Sequence, residues 1–121
     1  MSTPRTLDRT LLALADPTRR AILQRLSAGE ARVTEVAQPF DMSLNAVSKH
    51  ILVLERAQLV TRRREGRDHF LSYRPEPLDA AAQWIEETRT FWASRLDTLE
   101  RLLREEDEAE RAQARKKKKN T

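Results

Sequence analysis

The chain contains two glycines, Gly29 and Gly66, and from Pro77 to about Gln113 no further glycine or proline interrupts a run of helix formers. Such a run favours one local structure, a long α-helix, because proline is tolerated in the first turn and nothing after it breaks the hydrogen-bond ladder. Along it Leu78, Ala82, Ile85, Arg89, Trp92, Leu96, Leu99 and Leu103 alternate spacings of four and three. That alternation is a heptad seam, broken once by Arg89. At the α-helical rise, about 35 residues span roughly 50 Å, more than the width of a small domain. Part of the seam is therefore expected to meet a second subunit, with Ile85, Trp92, Leu96 and Leu99 at the contact. The alternative, a helix packed wholly on its own domain, leaves its far end with nothing to cover it.

What precedes this helix is short. In a chain of 121 residues there is room for one core, and with 5% aromatics that core is mostly aliphatic. Cysteine is absent, which excludes disulfides, thiolate metal sites and cysteine nucleophiles together. His50 and His69 have no second histidine at ligand spacing, so neither a metal nor a cofactor is expected. His50 reads as a packing or backbone-contacting residue and His69 as an exposed strand residue. Two glycines cannot build a glycine-rich phosphate loop, and the run REEDEAE reads as a solvated helix face. An enzyme is not expected. The N-terminus MSTPRTLDRT lacks the apolar run of a signal peptide and no stretch reaches membrane-spanning length, so a cytoplasmic protein with no membrane partner is expected.

Charge is divided along the chain. Residues 1–74 carry 13 Lys and Arg against 8 Asp and Glu, whereas residues 75–114 carry 5 against 11. The segment RKKKK then restores positive charge. A basic front half and an acidic back half suggest that the front half faces a polyanion. Residues 1–113 are expected to form one domain and residues 114–121 a disordered basic tail.

Leu7, Leu11 and Leu14 share one helical face, giving a first helix over residues 5–15. Asp16 is placed to cap a second helix with Pro17 at its first position and Gly29 at its end; Ile22, Leu23 and Leu26 form its apolar stripe. Thr34 is expected to cap a very short helix, EVAQ, that stops near Pro39. Ser43 caps the next helix, whose Leu44, Val47, Ile51 and Leu54 lie on one side and whose Asn45, Lys49 and Arg56 lie on the other. A short helix, a tight turn and a second helix with a polar outward face make a helix-turn-helix. Residues 59–64 and 68–73 then read as two strands around a turn at Gly66, with Arg62 and Arg64 on one face and Arg63 on the other. The fold class is mainly α with a small β-hairpin: a winged helix-turn-helix with a long C-terminal helix.

This arrangement suits double-stranded DNA. The N-terminal residues of a recognition helix enter the major groove most deeply, which selects Ser43, Leu44, Asn45 and Ala46. Asn45 can make two hydrogen bonds to adenine, and Leu44 or Ala46 can touch a thymine methyl. Ser48 and Lys49 are better placed for phosphates. Arg64 and Arg67, beside Gly66, can reach a neighbouring minor groove, where narrow A·T tracts attract arginine.

The motifs DPTRR, S-x-x-A-V-S-K-H-I-x-V-L and L-V-x-x-R-R-E-G-R occur here in that order. In this order, and over residues 11–74, the sequence resembles the ArsR-type winged helix-turn-helix repressors. The resemblance implies a homodimer pairing through its first and last helices, with Leu7 and Leu11 joining the seam. It also implies a palindromic operator read by residues 43–50, His50 included, with a wing from Arg62 to Arg67. Metal-sensing members carry a cysteine pair on the short helix before the turn, or histidines and carboxylates on the last helix. Here the short helix has no cysteine and the last helix no histidine, so the chain resembles the branch that does not sense metal. Leu44 and Leu52 stand where polar or basic residues are common in the family, and neither operator nor inducer follows from the resemblance. Two other readings compete: a protein-interaction adaptor built on the same scaffold, and an RNA-binding protein using the basic wing and tail.

Overall fold

In the computed structural model, which describes residues 4–119, helix α1 (Pro4–Leu14) is followed without a spacer element by α2 (Pro17–Ser27). Asp16 caps α2, its carboxylate accepting the N–H of Arg19 at 3.1 Å, and Pro17 sits in the first turn. The helix buries Ile22, Leu23 and Leu26, and after Ala28 the backbone turns through Gly29 at φ 143°. Few residues other than glycine adopt that angle without strain.

A strand of two residues, β1 (Ala31–Arg32), leads straight into α3 (Val33–Ala37). Thr34 therefore lies inside the short helix rather than capping it. Arg32 holds the cap position with extended backbone and no side-chain capping bond, because it is still paired with Phe70 in the sheet.

Helix α4 (Leu44–Arg56) begins as its sequence predicts, with the Ser43 hydroxyl accepting the Ala46 N–H at 3.1 Å. Val47, Ile51 and Leu54 are buried and join Ile22, Leu26, Val36, Leu59 and Leu71 in one aliphatic core. The end of α4 is a Schellman turn: Gln58 N–H donates to the Glu55 carbonyl and Leu59 N–H to that of Leu54, both at 3.0 Å, with Gln58 at φ 62°. Leu59 is used in this turn, which is why strand β2 (Val60–Glu65) starts one residue later than expected.

Strand β3 (Asp68–Tyr73) lies between β2 and β1 in an antiparallel sheet of order β1-β3-β2. Glu65 pairs with Asp68 around a two-residue loop of Gly66 and Arg67, and Gly66 at φ 62° supplies the conformation that such loops require.

Helix α5 (Glu76–Lys119) contributes the buried Ala81 and half-buried Leu78 to the compact unit formed by residues up to Gln83. Residues from Trp84 on form a second unit in which the described side chains are exposed apart from the half-buried Thr88. The disordered tail expected from residue 114 is instead helical through Lys119; Asn120 and Thr121 lie outside the described residues. Lysine and arginine are good helix formers, and their charge favours the negative end of a helix dipole.

Candidate nucleic-acid interface

The first two turns of α4 present the residues expected to read DNA. Burying Val47, Ile51 and Leu54 turns Asn45 and Lys49 outward; Leu44, expected on the buried side with them, is the first residue of the helix and is 52% exposed, so the apolar face starts at Val47. Ala46 and Ser48 are half-buried at the flanks. Asn45 and Lys49 make no side-chain hydrogen bond or ion pair among the described residues. The hydroxyl of Ser43 is already accepting a helix N–H, which leaves its proton and one lone pair for a further partner.

On the wing, each arginine expected at DNA has a different environment. Arg62 is tied inward: one nitrogen donates to Glu55 on α4 at 2.7 Å and another to His69 Nδ1 at 3.3 Å. Arg64 donates its Nε–H to the Gly66 carbonyl at 3.1 Å and stays exposed at the loop. Arg67 is exposed and has no ion pair among the described residues. Arg63, on the other face as strand alternation requires, lies 4.6 Å over the Phe70 ring and pairs with Glu30 at 2.8 Å and Glu65 at 2.7 Å. The hydrogen bond from Arg63, helped by one from Ser72, holds the Glu30 carboxyl below its ordinary range. Between α4 and the wing is a cleft of about 270 Å³ that Ser48, Arg62, Arg67 and His69 help to line.

His50, grouped by resemblance with the reading residues, faces α2 instead. Its Nδ1 accepts from Arg19 at 3.3 Å and lies 3.8 Å from Asp16. Arg19 also donates to the carbonyls of Ala13 at 2.8 Å and Leu12 at 2.9 Å, while Arg20 donates to that of Leu14 at 2.8 Å. These carbonyls belong to the last turn of α1, where no i+4 helical donor follows; that of Leu12 also accepts the Ala15 N–H at 3.2 Å. The DPTRR motif thus starts α2 with its aspartate and finishes α1 with its arginines. Sequence reasoning took only the first role from it, since an arginine reaching back six or seven residues leaves no periodic signal.

The residues expected between subunits fall in both units. In the first, Leu7 is half-buried and Leu11 is 37% exposed. In the second, Ile85, Trp92, Leu96 and Leu99 are each at least half exposed, and Phe91, Leu102 and Leu103 are as well. So long an apolar stripe on a water-facing helix, interrupted only at Arg89, is a surface that association would cover. Among the described residues no group of three or more His, Asp or Glu side chains is placed to hold a metal ion, and no helix is long and apolar enough to cross a membrane.

The Helix-turn-helix domain family HTH_20 matches residues 14–63, which run from the end of α1 into the wing. The crystal structure of an ArsR family transcriptional regulator superposes with a TM-score of 0.73 and 42% identity, over 77% of this chain and 96% of that one. The chain belongs to the ArsR family. This ArsR regulator is also 41% identical over 103 residues to the HTH-type transcriptional regulator Rv2034 of Mycobacterium tuberculosis, a match covering 85% of the chain and 94% of its relative. The solution structure of a homodimeric winged helix-turn-helix DNA-binding domain from Mycobacterium bovis, a possible ArsR-family regulator, shares 26% identity at a TM-score of 0.55, over 76% of this chain and 82% of that one. The family consists of DNA-binding regulators, and the winged helix-turn-helix expected from the residues is the fold observed.

Proposed function

We propose that this ArsR regulator is a homodimer that represses transcription by occupying a palindromic operator, with α4 in the major groove and the β2–β3 wing at the adjacent minor groove. The observation that carries this reading is the pairing of two exposed surfaces. One is the unpartnered row Leu44, Asn45 and Lys49 at the start of a capped helix; the other is the apolar stripe from Ile85 to Leu103. Two copies joined by the stripe would present two reading helices, and a two-fold protein selects a two-fold site. A homodimeric relative supports that assembly. A small dimer seated at a promoter acts by exclusion, which favours repression.

Asn45 reads a base in this proposal, while Lys49 holds a phosphate. Asn45→Ala is expected to cost about 1–3 kcal/mol on the selected site and to relax selectivity at one position. Lys49→Ala is expected to weaken all duplexes alike and to lower the salt slope by roughly one phosphate contact. Binding to matched and scrambled duplexes at two salt concentrations separates the two. Equal proportional losses of specific and non-specific affinity in both variants would refute the base-reading face. Selecting bound fragments from random duplex DNA supplies the site, and indifference between palindromic duplex and RNA would favour the RNA-binding alternative.

A chain without cysteine or paired histidines offers no strong ligand set to a soft or borderline metal. Zinc, cadmium, nickel and arsenite are therefore expected to leave the protein–operator complex intact at fixed pH. Stoichiometric release of DNA by any one of them would contradict this.

A further inference from the structure

We propose that the cleft between α4 and the wing is a seat for one phosphate group, filled by a backbone phosphodiester of the bound duplex. The proposal rests on the DNA-binding reading above and adds His69, Thr34 and the Glu55–Arg62 pair to it. Hydrogen-bond donors dominate the cleft. Thr34 and Ser48 bring hydroxyls from the helical side, and Arg67 and His69 bring N–H groups from the wing. The two hydroxyls and the Arg67 guanidinium have no partner among the described residues. One carboxylate, Asp68, also lines the cleft.

The state of His69 follows from its neighbour. A guanidinium can only donate, so the 3.3 Å contact from Arg62 makes His69 Nδ1 an acceptor and leaves the ring proton on Nε2. Arg62 is held in turn by Glu55 at 2.7 Å, a pair about two-thirds buried on both sides. The chain Glu55–Arg62–His69 therefore runs from the recognition helix to the second wing strand and sets which imidazole nitrogen can donate. Arg62, whose charge is offset by Glu55, is a positioning residue; Arg32, which also lines the cleft, has Glu35 at 3.9 Å, and Arg67 supplies the cation with no carboxylate partner among the described residues. A cleft with such donors and one free cation matches a singly charged phosphodiester. The location agrees with the chemistry, because a helix in one groove and a hairpin in the next are separated by a sugar–phosphate strand.

The test uses the full chain and a duplex selected by it, in which each phosphate is replaced singly by a neutral methylphosphonate. For the wild type, neutralising the seated phosphate is expected to weaken binding about tenfold, the size of one charge-assisted contact. In Arg67→Ala, and separately in His69→Ala, neutralising that same phosphate has little further effect, while every other position behaves as in the wild type. His69→Gln, which keeps a donor near the Nε2 position, restores part of the sensitivity. In a second arm the His69 ring resonances are followed as inorganic phosphate is added without DNA, in the wild type and in Arg67→Ala.

Specific duplex binding with no phosphate coupled to either residue, together with no response of His69 to inorganic phosphate, overturns the seat and leaves the DNA-binding reading standing. A phosphate response that Arg67→Ala abolishes, without coupling on the duplex, refutes the diester and assigns the cleft to free phosphate. Failure to bind any duplex defeats the DNA-binding reading instead, and the inorganic phosphate arm alone then decides the cleft.

Discussion

Replacing Leu96 by aspartate is expected to separate the subunits and abolish tight operator binding. Leu96 is 59% exposed in the single chain and lies midway along the seam with Trp92 and Leu99. If two such helices meet there, the substitution puts an unpaired carboxylate into an apolar contact, at a cost of several kcal/mol. Separated subunits each hold one reading helix, and losing the second attachment reduces affinity by roughly a hundredfold or more. The first unit has its own core, so the variant should keep its helical signal while sedimenting as a monomer. Leu96→Ala, which shortens the side chain without adding charge, should dissociate only on dilution. Sedimentation over a range of concentrations reads both effects. A Leu96→Asp protein with the wild-type sedimentation profile would move the interface away from this stripe.

What could be read in advance depended on how local its cause was. Asp16 and Ser43 cap helices through bonds to residues three positions on, so both starts were visible in the sequence. The apolar face of α4 was equally plain, because Val47, Ile51 and Leu54 repeat within one element. Strand β1 was missed because its two residues pair with Phe70 and Leu71 far along the chain, and two residues carry no pattern of their own. The same limit applied to the interface. Alternation put Arg62 and Arg63 on opposite faces, but only the folded chain brings Glu55 to Arg62 and Glu30 to Arg63. The wing arginines are therefore not equally free: Arg62 and Arg63 have carboxylate partners, Arg64 bonds to its own loop, and Arg67 has no partner among the described residues. The packing reading of His50 has a related basis. The residue belongs to the half-buried side of α4, one position before Ile51, and there it meets Arg19.

Removing Arg19 is expected to destabilise the fold by about 2 kcal/mol, as the Ala13 carbonyl and the His50 ring lose a charged, half-buried donor while the Leu12 carbonyl keeps the Ala15 N–H. Its side chain serves the carbonyls of Leu12 and Ala13 and the ring of His50 at once, so it joins the end of α1 to the recognition helix. Arg19→Lys should recover only a minor part, because an ammonium cannot span the directions that the guanidinium fork reaches. His50→Ala, which keeps both carbonyl bonds, should cost less than Arg19→Ala. Asp16 adds a dependence on pH. The N–H of Arg19 is the chief cause of its carboxyl lying below the ordinary 3.8, with the charge of Arg19 and the N–H of Thr18 acting in the same direction. A carboxyl depressed in the folded state stabilises fully above its unfolded pKa and loses that contribution as pH falls through the folded value. Asp16→Asn keeps a capping oxygen but removes the charge, so its stability should change less than that of the wild type below about pH 4. Urea unfolding of the four variants and the wild type at neutral and acid pH measures these differences. Because α1 carries Leu7 and Leu11, the same link should make operator affinity depend on Arg19 beyond its effect on folding. An Arg19→Ala protein that unfolds at the wild-type midpoint, and binds its operator with wild-type affinity, would show that the end of α1 needs no such tie.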